Sequence, residues 1–247
     1  MLPELGHGRF ELFFKPAATP ADIRVERPFY PNRPGDARLM NLVEGLGLAS
    51  ARDLFRLCDQ GHTGRPPAAA LFWTLGPQQV GKAAISGWRD LLQSALENSA
   101  PAIWPFDGAL ADLLRTRLAT VVEIYPAELQ GRLGVRLGRP GGGSKLRVQD
   151  RAAAAPALLA AATHLGLDVA PGLRRMIERG FAGPHGEDRF DAVVGLMGML
   201  LVLRGEAPLA VPDRPEVRTE GWILGRPVDP VLRPTVCQPP AAASGPS

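Results

Sequence analysis

Cysteine is scarce in this chain of 247 residues, and long apolar runs are missing. The two cysteines, Cys58 and Cys237, are too few for a disulfide framework, so we expect free thiols. The longest apolar run, residues 192–203, is well short of the about 20 residues that cross a bilayer, so we expect a buried helix and no membrane partner. The first residues lack a basic segment followed by an apolar core, which argues against a signal peptide and for a cytoplasmic protein.

Lysine is also scarce, since only Lys15, Lys82 and Lys145 are lysines among the 28 basic residues. The formal net charge is only +3 at pH 7. Arginine binds phosphate through two N–H groups at once, but abundant arginine together with abundant alanine also follows from genomic base composition. The charge is therefore compatible with nucleic-acid binding and does not decide a function.

Glycine and proline are abundant instead, with 28 and 25 residues, which predicts short elements joined by frequent turns. No repeat with a fixed period is visible, which argues against a solenoid or a propeller. Residues 227–247 are rich in proline, alanine and serine, and we predict a disordered tail there.

Hydrophobic periodicity predicts helices along most of the chain. A helical pair is expected over residues 39–58, where Ser50 followed three residues later by Asp53 is the pattern of a capping box that opens the second helix. The other expected helices lie over residues 78–97, after a cap at Asp107, over 145–165 with a break at Pro156, over 171–180 and over 187–204.

Two strands are predicted in the second half of the chain. Residues 120–125 form a buried strand that Pro126 ends, and residues 222–224 form a later one. Glu123 lies inside the first strand, where a buried carboxylate requires a cation, a hydrogen-bond donor or an edge that faces solvent. A bound metal ion would meet that requirement.

The last predicted helix places Asp188 and Asp191 on one face, in line with Gly195 and Gly198. The glycines allow another backbone to approach closely, so we expect this face to pack against a sheet with the acids at its rim. The two aspartates could join Glu123 as oxygen ligands of Mg²⁺ or Mn²⁺, an arrangement that serves phosphodiester hydrolysis. Alternatively, Asp188 is an ordinary first-turn acid that complements the helix dipole.

Other motifs indicate less chemistry. Cys58 and His62 are four residues apart, but no second pair completes a zinc site. Residues 138–145 imitate a phosphate-binding loop with serine and lysine in the wrong order, so we expect a flexible connection. No G-x-S-x-G turn is present, and a hydrolase triad has no support.

The loop over residues 27–35 combines arginine with aromatic residues. Arg27 and Tyr30 could hold phosphates and stack on bases, as proteins that bind single strands do. The alternative is a rigid surface loop, because its prolines restrict the backbone while the aromatic rings cover the core.

Seven short phrases then follow one another in a characteristic order. They are RPFYP at 27–31, LFWTLG at 71–76, QVGKAAI at 79–85, WPFDG at 104–108, EIYPAE at 123–128, FDAVVG at 190–195 and EGWILG at 220–225. Together they resemble the DUF429 family of predicted nucleases with an RNase H-like fold, over about residues 9–226.

The resemblance implies a helix-rich α/β fold in which helices flank a mixed sheet. It also implies that acids on strand ends and on a C-terminal helix bind a divalent metal for nucleic-acid cleavage. Glu123 matches the strand acid, Asp188 and Asp191 match the helix acids, and Lys145 or Arg147 matches a basic region that faces a phosphate.

The chain departs from the family pattern at its start. The family's first strands supply an aspartate in a D-x-P-x-G pattern, which residues 9–14 and 22–26 lack. We therefore expect one domain over residues 1–226 that is incomplete at its N-terminal side, with weak or absent binding of Mg or Mn and an open sheet edge suited to a homodimer or a protein partner. A metal-dependent nuclease is the expected function, and a non-catalytic nucleic-acid-binding or protein-interaction module is the alternative.

Overall fold

The computed structural model describes residues 39–62, 64–71, 73, 80–98, 101–139 and 141–228. The predictions for Arg27, Tyr30 and the tail beyond residue 228 lie outside these residues. In the ranges that the structure describes, every helix is too short or too polar to cross a membrane.

Short helices surround two small pairs of parallel strands, which is an α/β arrangement. The helices are α1 (Leu39–Gly45), a 3-10 helix (Ala51–Leu54), α2 (Val80–Gly87), a π-helical turn (Trp88–Leu92), α3 (Gln93–Asn98), α4 (Leu110–Thr116), α5 (Pro126–Leu129), α6 (Val148–Ala153), α7 (Ala155–His164), α8 (Pro171–Glu178), α9 (Gly186–Leu203) and α10 (Val217–Glu220). The strands are β1 (Ala102–Ile103), β2 (Thr120–Val121), β3 (Glu123–Ile124) and β4 (Ile223–Leu224).

One segment of chain contributes to both strand pairs. Strand β1 pairs with β2, and β3 pairs with β4 so that Glu123 lies opposite Ile223. Only Val122 separates β2 from β3, so this extended segment pairs first with β1 and then, two residues later, with β4. The single strand predicted over residues 120–125 is therefore two shorter strands, whereas the late strand predicted over residues 222–224 is confirmed as β4.

Helix α9 lies at the centre of the main hydrophobic core. It buries the predicted apolar stripe through Phe190, Val194, Met197 and Leu201. Its glycine face is buried as well, because Gly195 packs against Ile124 of β3 and Gly198 against Leu129 of α5. The expectation that this face meets a strand is confirmed, with a short helix beside that strand.

The capping box near Ser50 is present, but the helix that it opens is short. The Ser50 backbone N–H donates to Oδ2 of Asp53 at 2.8 Å. The 3-10 helix then ends at Leu54, because Phe55 adopts an extended conformation. The predicted extension of this helix through Cys58 is wrong.

The predicted cap of α4 is wrong. Asp107 does not cap this helix but accepts a hydrogen bond from the backbone N–H of Ile103 at 2.7 Å, and Leu114 of the same helix is exposed. In α8 Ile177 is buried, and the other residues of this helix are exposed to solvent. The predicted break near Pro156 is confirmed, since α6 and α7 are separate helices.

Candidate functional site

Glu123 lies at the start of β3, with 45% of its side chain exposed, and Arg56 binds it with two hydrogen bonds. One guanidinium N–H group donates to Oε2 at 2.7 Å and another to Oε1 at 2.6 Å. The prediction of a buried strand around this carboxylate is therefore wrong, because the strand exposes Glu123 at its edge. The negative charge of Glu123 is thus stabilised by the Arg56 guanidinium and by contact with solvent, and a metal ion is not required for it.

Arg56 also donates hydrogen bonds to two residues other than Glu123. Its Nε atom donates to Oδ2 of Asp59 at 2.8 Å, and a second guanidinium N–H group donates to the backbone carbonyl of Glu220. Burial lowers the pKa of the Arg56 guanidinium, but hydrogen bonds to Glu123 and Asp59 outweigh burial and raise that pKa above its ordinary value. Arg56 is therefore a permanent cation against Glu123.

Glu128, at the end of the EIYPAE phrase, lies in a deeper charged cluster. Its two oxygens meet His62 Nε2 at 2.6 Å and Arg65 Nε at 2.7 Å. A nitrogen of Arg226 lies 4.0 Å from one of these oxygens, and the side chains of Glu128 and Arg226 are each only 1% exposed. Arg65 also lies over the ring of Tyr125, 5.0 Å from its centroid.

His62 has a defined tautomer in this cluster. The backbone N–H of Gly64 donates to His62 Nδ1 at 3.1 Å, so the ring proton is on Nε2 and is donated to Glu128. Cys58, its expected neighbour in a zinc pair, is a fully buried free thiol. Burial raises the pKa of Cys58 to about 12, which keeps the thiol protonated at neutral pH.

Asp191 and Asp188 have different surroundings on α9. Asp191 is paired with the ammonium group of Lys145, and its side chain is 29% exposed. Asp188 is 72% exposed and lies 3.4 Å from Nδ1 of His185. Arg147, the other predicted phosphate contact, pairs with Asp150 at 2.7 Å.

The acids on β3 and α9 face different directions. Ile124 packs against Gly195, one helical turn after Asp191, whereas Glu123 contacts Arg56. Because successive side chains of a strand point to opposite faces, Glu123 faces away from α9. Among the described residues, no three histidine, cysteine, aspartate or glutamate side chains are grouped so that they could hold a metal ion.

Sequence reasoning missed Arg56, Arg65 and Arg226, because an arginine far along the chain from its acid leaves no local pattern. No protein-family model, curated protein or solved structure matches this chain. Function is therefore inferred from the residues and their geometry.

Proposed function

We propose that this chain is a divalent-metal-dependent nuclease of the RNase H-like class that the DUF429 resemblance implies. One observation carries the proposal: the strand that bears Glu123 packs directly on the helix that bears Asp188 and Asp191. A Cβ atom added at Gly195 would lie 3.6 Å from Cγ2 of Ile124, which is ordinary contact. The strand acid and the helix acids thus belong to one packed unit.

The two aspartates of α9 suit Mg²⁺ or Mn²⁺ by chemistry. They are carboxylates three residues apart on a helix face, both accessible to solvent. Glu123 suits the metal by chemistry but not by placement, because it faces Arg56. The site therefore rests on Asp188 and Asp191, because Glu123 lies on the face of β3 that is directed away from α9. A bound metal would supply charge stabilisation at the scissile phosphate and orient a water molecule.

Lys145 contributes a cation beside Asp191. In the absence of metal it compensates the aspartate, and beside a bound polyanion its ammonium group would face a phosphate. The backbone carbonyl of Lys145 accepts a hydrogen bond from the buried Arg151, which holds this lysine's backbone in place.

Replacement of Asp191 tests the proposal. D191N should abolish cleavage of single-stranded DNA or RNA in Mg²⁺ or Mn²⁺ and leave the folded state intact, because the lost group is a partly exposed carboxylate. D112N is the matched control, since Asp112 is an exposed acid that pairs with the exposed Arg115 on α4. Cleavage that is equal in D191N and wild type would end the nuclease assignment.

A non-catalytic nucleic-acid-binding module is the second candidate, and a specific observation favours it. Glu123 and Asp191 are each already paired with a basic side chain, Arg56 and Lys145. Such a module should bind a single-stranded oligonucleotide without metal, and its affinity should fall steeply with salt because phosphate contacts release counterions. Fluorescence anisotropy measures this dependence. Absent or salt-insensitive binding would favour a protein partner or a homodimer, which gel filtration detects.

A further inference from the structure

A cleft of about 290 Å³ lies between α8 and the start of α9, and Glu123 does not line it. Three arginines line it: Arg175 and Arg179 from α8 and its end, and Arg189 from α9. Met176 and Phe181 provide apolar lining between them. The volume is at the lower end of the range for small-ligand sites.

The three guanidinium groups have no hydrogen-bond or ion-pair partner within the part of the chain that the structure describes. This distinguishes them from Arg147 and Arg204, which pair with Asp150 and Glu206. Three uncompensated cations around one concave surface concentrate positive potential there. The cleft therefore favours an anion.

The acids nearest to the cleft along the chain, Glu178, Glu187 and Asp188, do not line it. Asp188 is directed to His185, 3.4 Å away, rather than to Arg189.

Phe181, one of the residues that line the cleft, has an uncommon backbone conformation. Phe181 has a φ of +53°, in the left-handed region that a bulky side chain rarely adopts. Its backbone N–H donates to the carbonyl of Met176 at 2.7 Å, and its ring packs edge to face on Phe190 with centroids 6.1 Å apart. The buried Arg151 donates from Nε to the carbonyl of Gly180 at 2.8 Å. Strained residues that their surroundings hold in place occur often at ligand sites.

We propose that this cleft binds a phosphate ester, through two or more of Arg175, Arg179 and Arg189. Arginine donates two parallel N–H groups to phosphate oxygens, and a cluster of free arginines is a common phosphate-binding arrangement. The phosphate belongs either to the backbone of a single-stranded nucleic acid or to a free nucleotide. The backbone source rests on the nucleic-acid interaction proposed above, whereas the site itself needs neither metal nor cleavage.

Binding of a fluorescein-labelled decathymidylate, measured by anisotropy in EDTA at low salt, tests the site. R175Q and R179Q should each weaken binding about tenfold, because each removes a charged hydrogen-bond donor to phosphate. R174Q is the matched control: it removes the same charge from the neighbouring position of α8, outside the cleft, and should change affinity less than twofold.

Competition identifies the source of the phosphate. If millimolar thymidine monophosphate displaces the labelled oligonucleotide from the wild type but not from R179Q, the cleft binds the phosphate of a free nucleotide. If thymidine monophosphate does not displace the oligonucleotide, and R175Q and R179Q still weaken its binding, the cleft binds a phosphate of the nucleic-acid backbone. Equal loss in R174Q and R179Q, or no binding of the labelled oligonucleotide by the folded wild type, would overturn the site. Cleavage is scored with D191N in Mg²⁺ or Mn²⁺, and binding is scored with the arginine variants in EDTA, so failure of cleavage and failure of this cleft are separate results.

Discussion

At the scale of single residues, Glu128 is an acid on which buried positive charge converges. Arg65 binds it directly, and Arg226 lies within 4.0 Å. Burial and repulsion from Arg65 lower the pKa of Arg226, and Glu128 opposes that shift. The charge of Glu128 therefore compensates two arginines that are removed from water.

Loss of that charge should be costly. E128Q keeps the shape of the side chain but leaves the arginines uncompensated, so the free energy of unfolding should fall by about 3 kcal/mol. Urea denaturation measures the change, and D112N, at an exposed pair on α4, should leave the midpoint almost unchanged. A midpoint for E128Q close to that of D112N would contradict the role of Glu128.

The buried thiol of Cys58 makes the free energy of unfolding depend on pH in the alkaline range. Burial raises the pKa of its thiol from the ordinary value of 9.0 to about 12 in the folded protein. Between these two values the unfolded chain binds fewer protons than the folded one, so stability falls as pH rises. The contribution of this one thiol approaches about 1.4 kcal/mol per pH unit.

The comparison of C58A with wild type isolates this effect. The variant loses some stability at neutral pH because it leaves a cavity. From pH 9 towards 12 its stability should decline less steeply than that of the wild type, as urea midpoints at each pH would show. Parallel declines would contradict a raised pKa at Cys58.

At the scale of elements, helix α9 depends on close approach along its glycine face. A Cβ atom added at Gly198 would lie 2.7 Å from Cδ1 and 2.9 Å from Cβ of Leu129. At Gly195 the nearest atom, Cγ2 of Ile124, would be 3.6 Å away. The two positions belong to one helix but differ in the space available.

Alanine at these two glycines should therefore have opposite effects. G198A should destabilise the protein by about 1 to 3 kcal/mol, because Leu129 and the α5 backbone must move. G195A should be neutral or stabilising by up to about 1 kcal/mol, since alanine favours a helix over glycine and meets only ordinary contact. Thermal unfolding of the pair measures both, and a G198A variant as stable as G195A would contradict the packing of α9 on α5.

At the scale of the whole molecule, the described residues contain two hydrophobic clusters of unequal size. The larger surrounds α9 and includes the fully buried Leu158 of α7. The smaller consists of four buried residues, Leu42, Val43, Leu54 and Ala70, with partly buried neighbours. Few buried apolar groups mean a low free energy of local opening.

Native-state hydrogen exchange should therefore show different amide protection in the two hydrophobic clusters. Amides of α9 should exchange only on global unfolding, whereas amides of α1 should exchange through a local opening. L42A should speed exchange in both helices, because Leu42 is exposed in the local opening and in global unfolding alike. L158A should speed exchange in α9 alone, because the local opening of α1 leaves Leu158 packed. Equal protection of α1 and α9 in the wild type would contradict this division.

Local patterns predict much of the framework. The apolar stripe of α9, the late strand β4 and the break near Pro156 all follow from periodicity and from proline stereochemistry, which act within a few residues. The glycine face of α9 is also predictable, because close packing is the common reason for glycine on a helix that is otherwise apolar.

Partnerships between distant charges were decided only by the fold. Arg56 and Glu123 are 67 positions apart, and Lys145 and Asp191 are 46 apart. No spacing rule connects such residues, because an ion pair needs only that two side chains meet in space. The same holds for the side of β3 to which Glu123 turns: it depends on which neighbours pack against each face of the strand. Local sequence thus determines the positions of most helices and of β4, because periodicity and proline act within a few residues. Tertiary packing determines which charges meet and where the chain changes its strand partner.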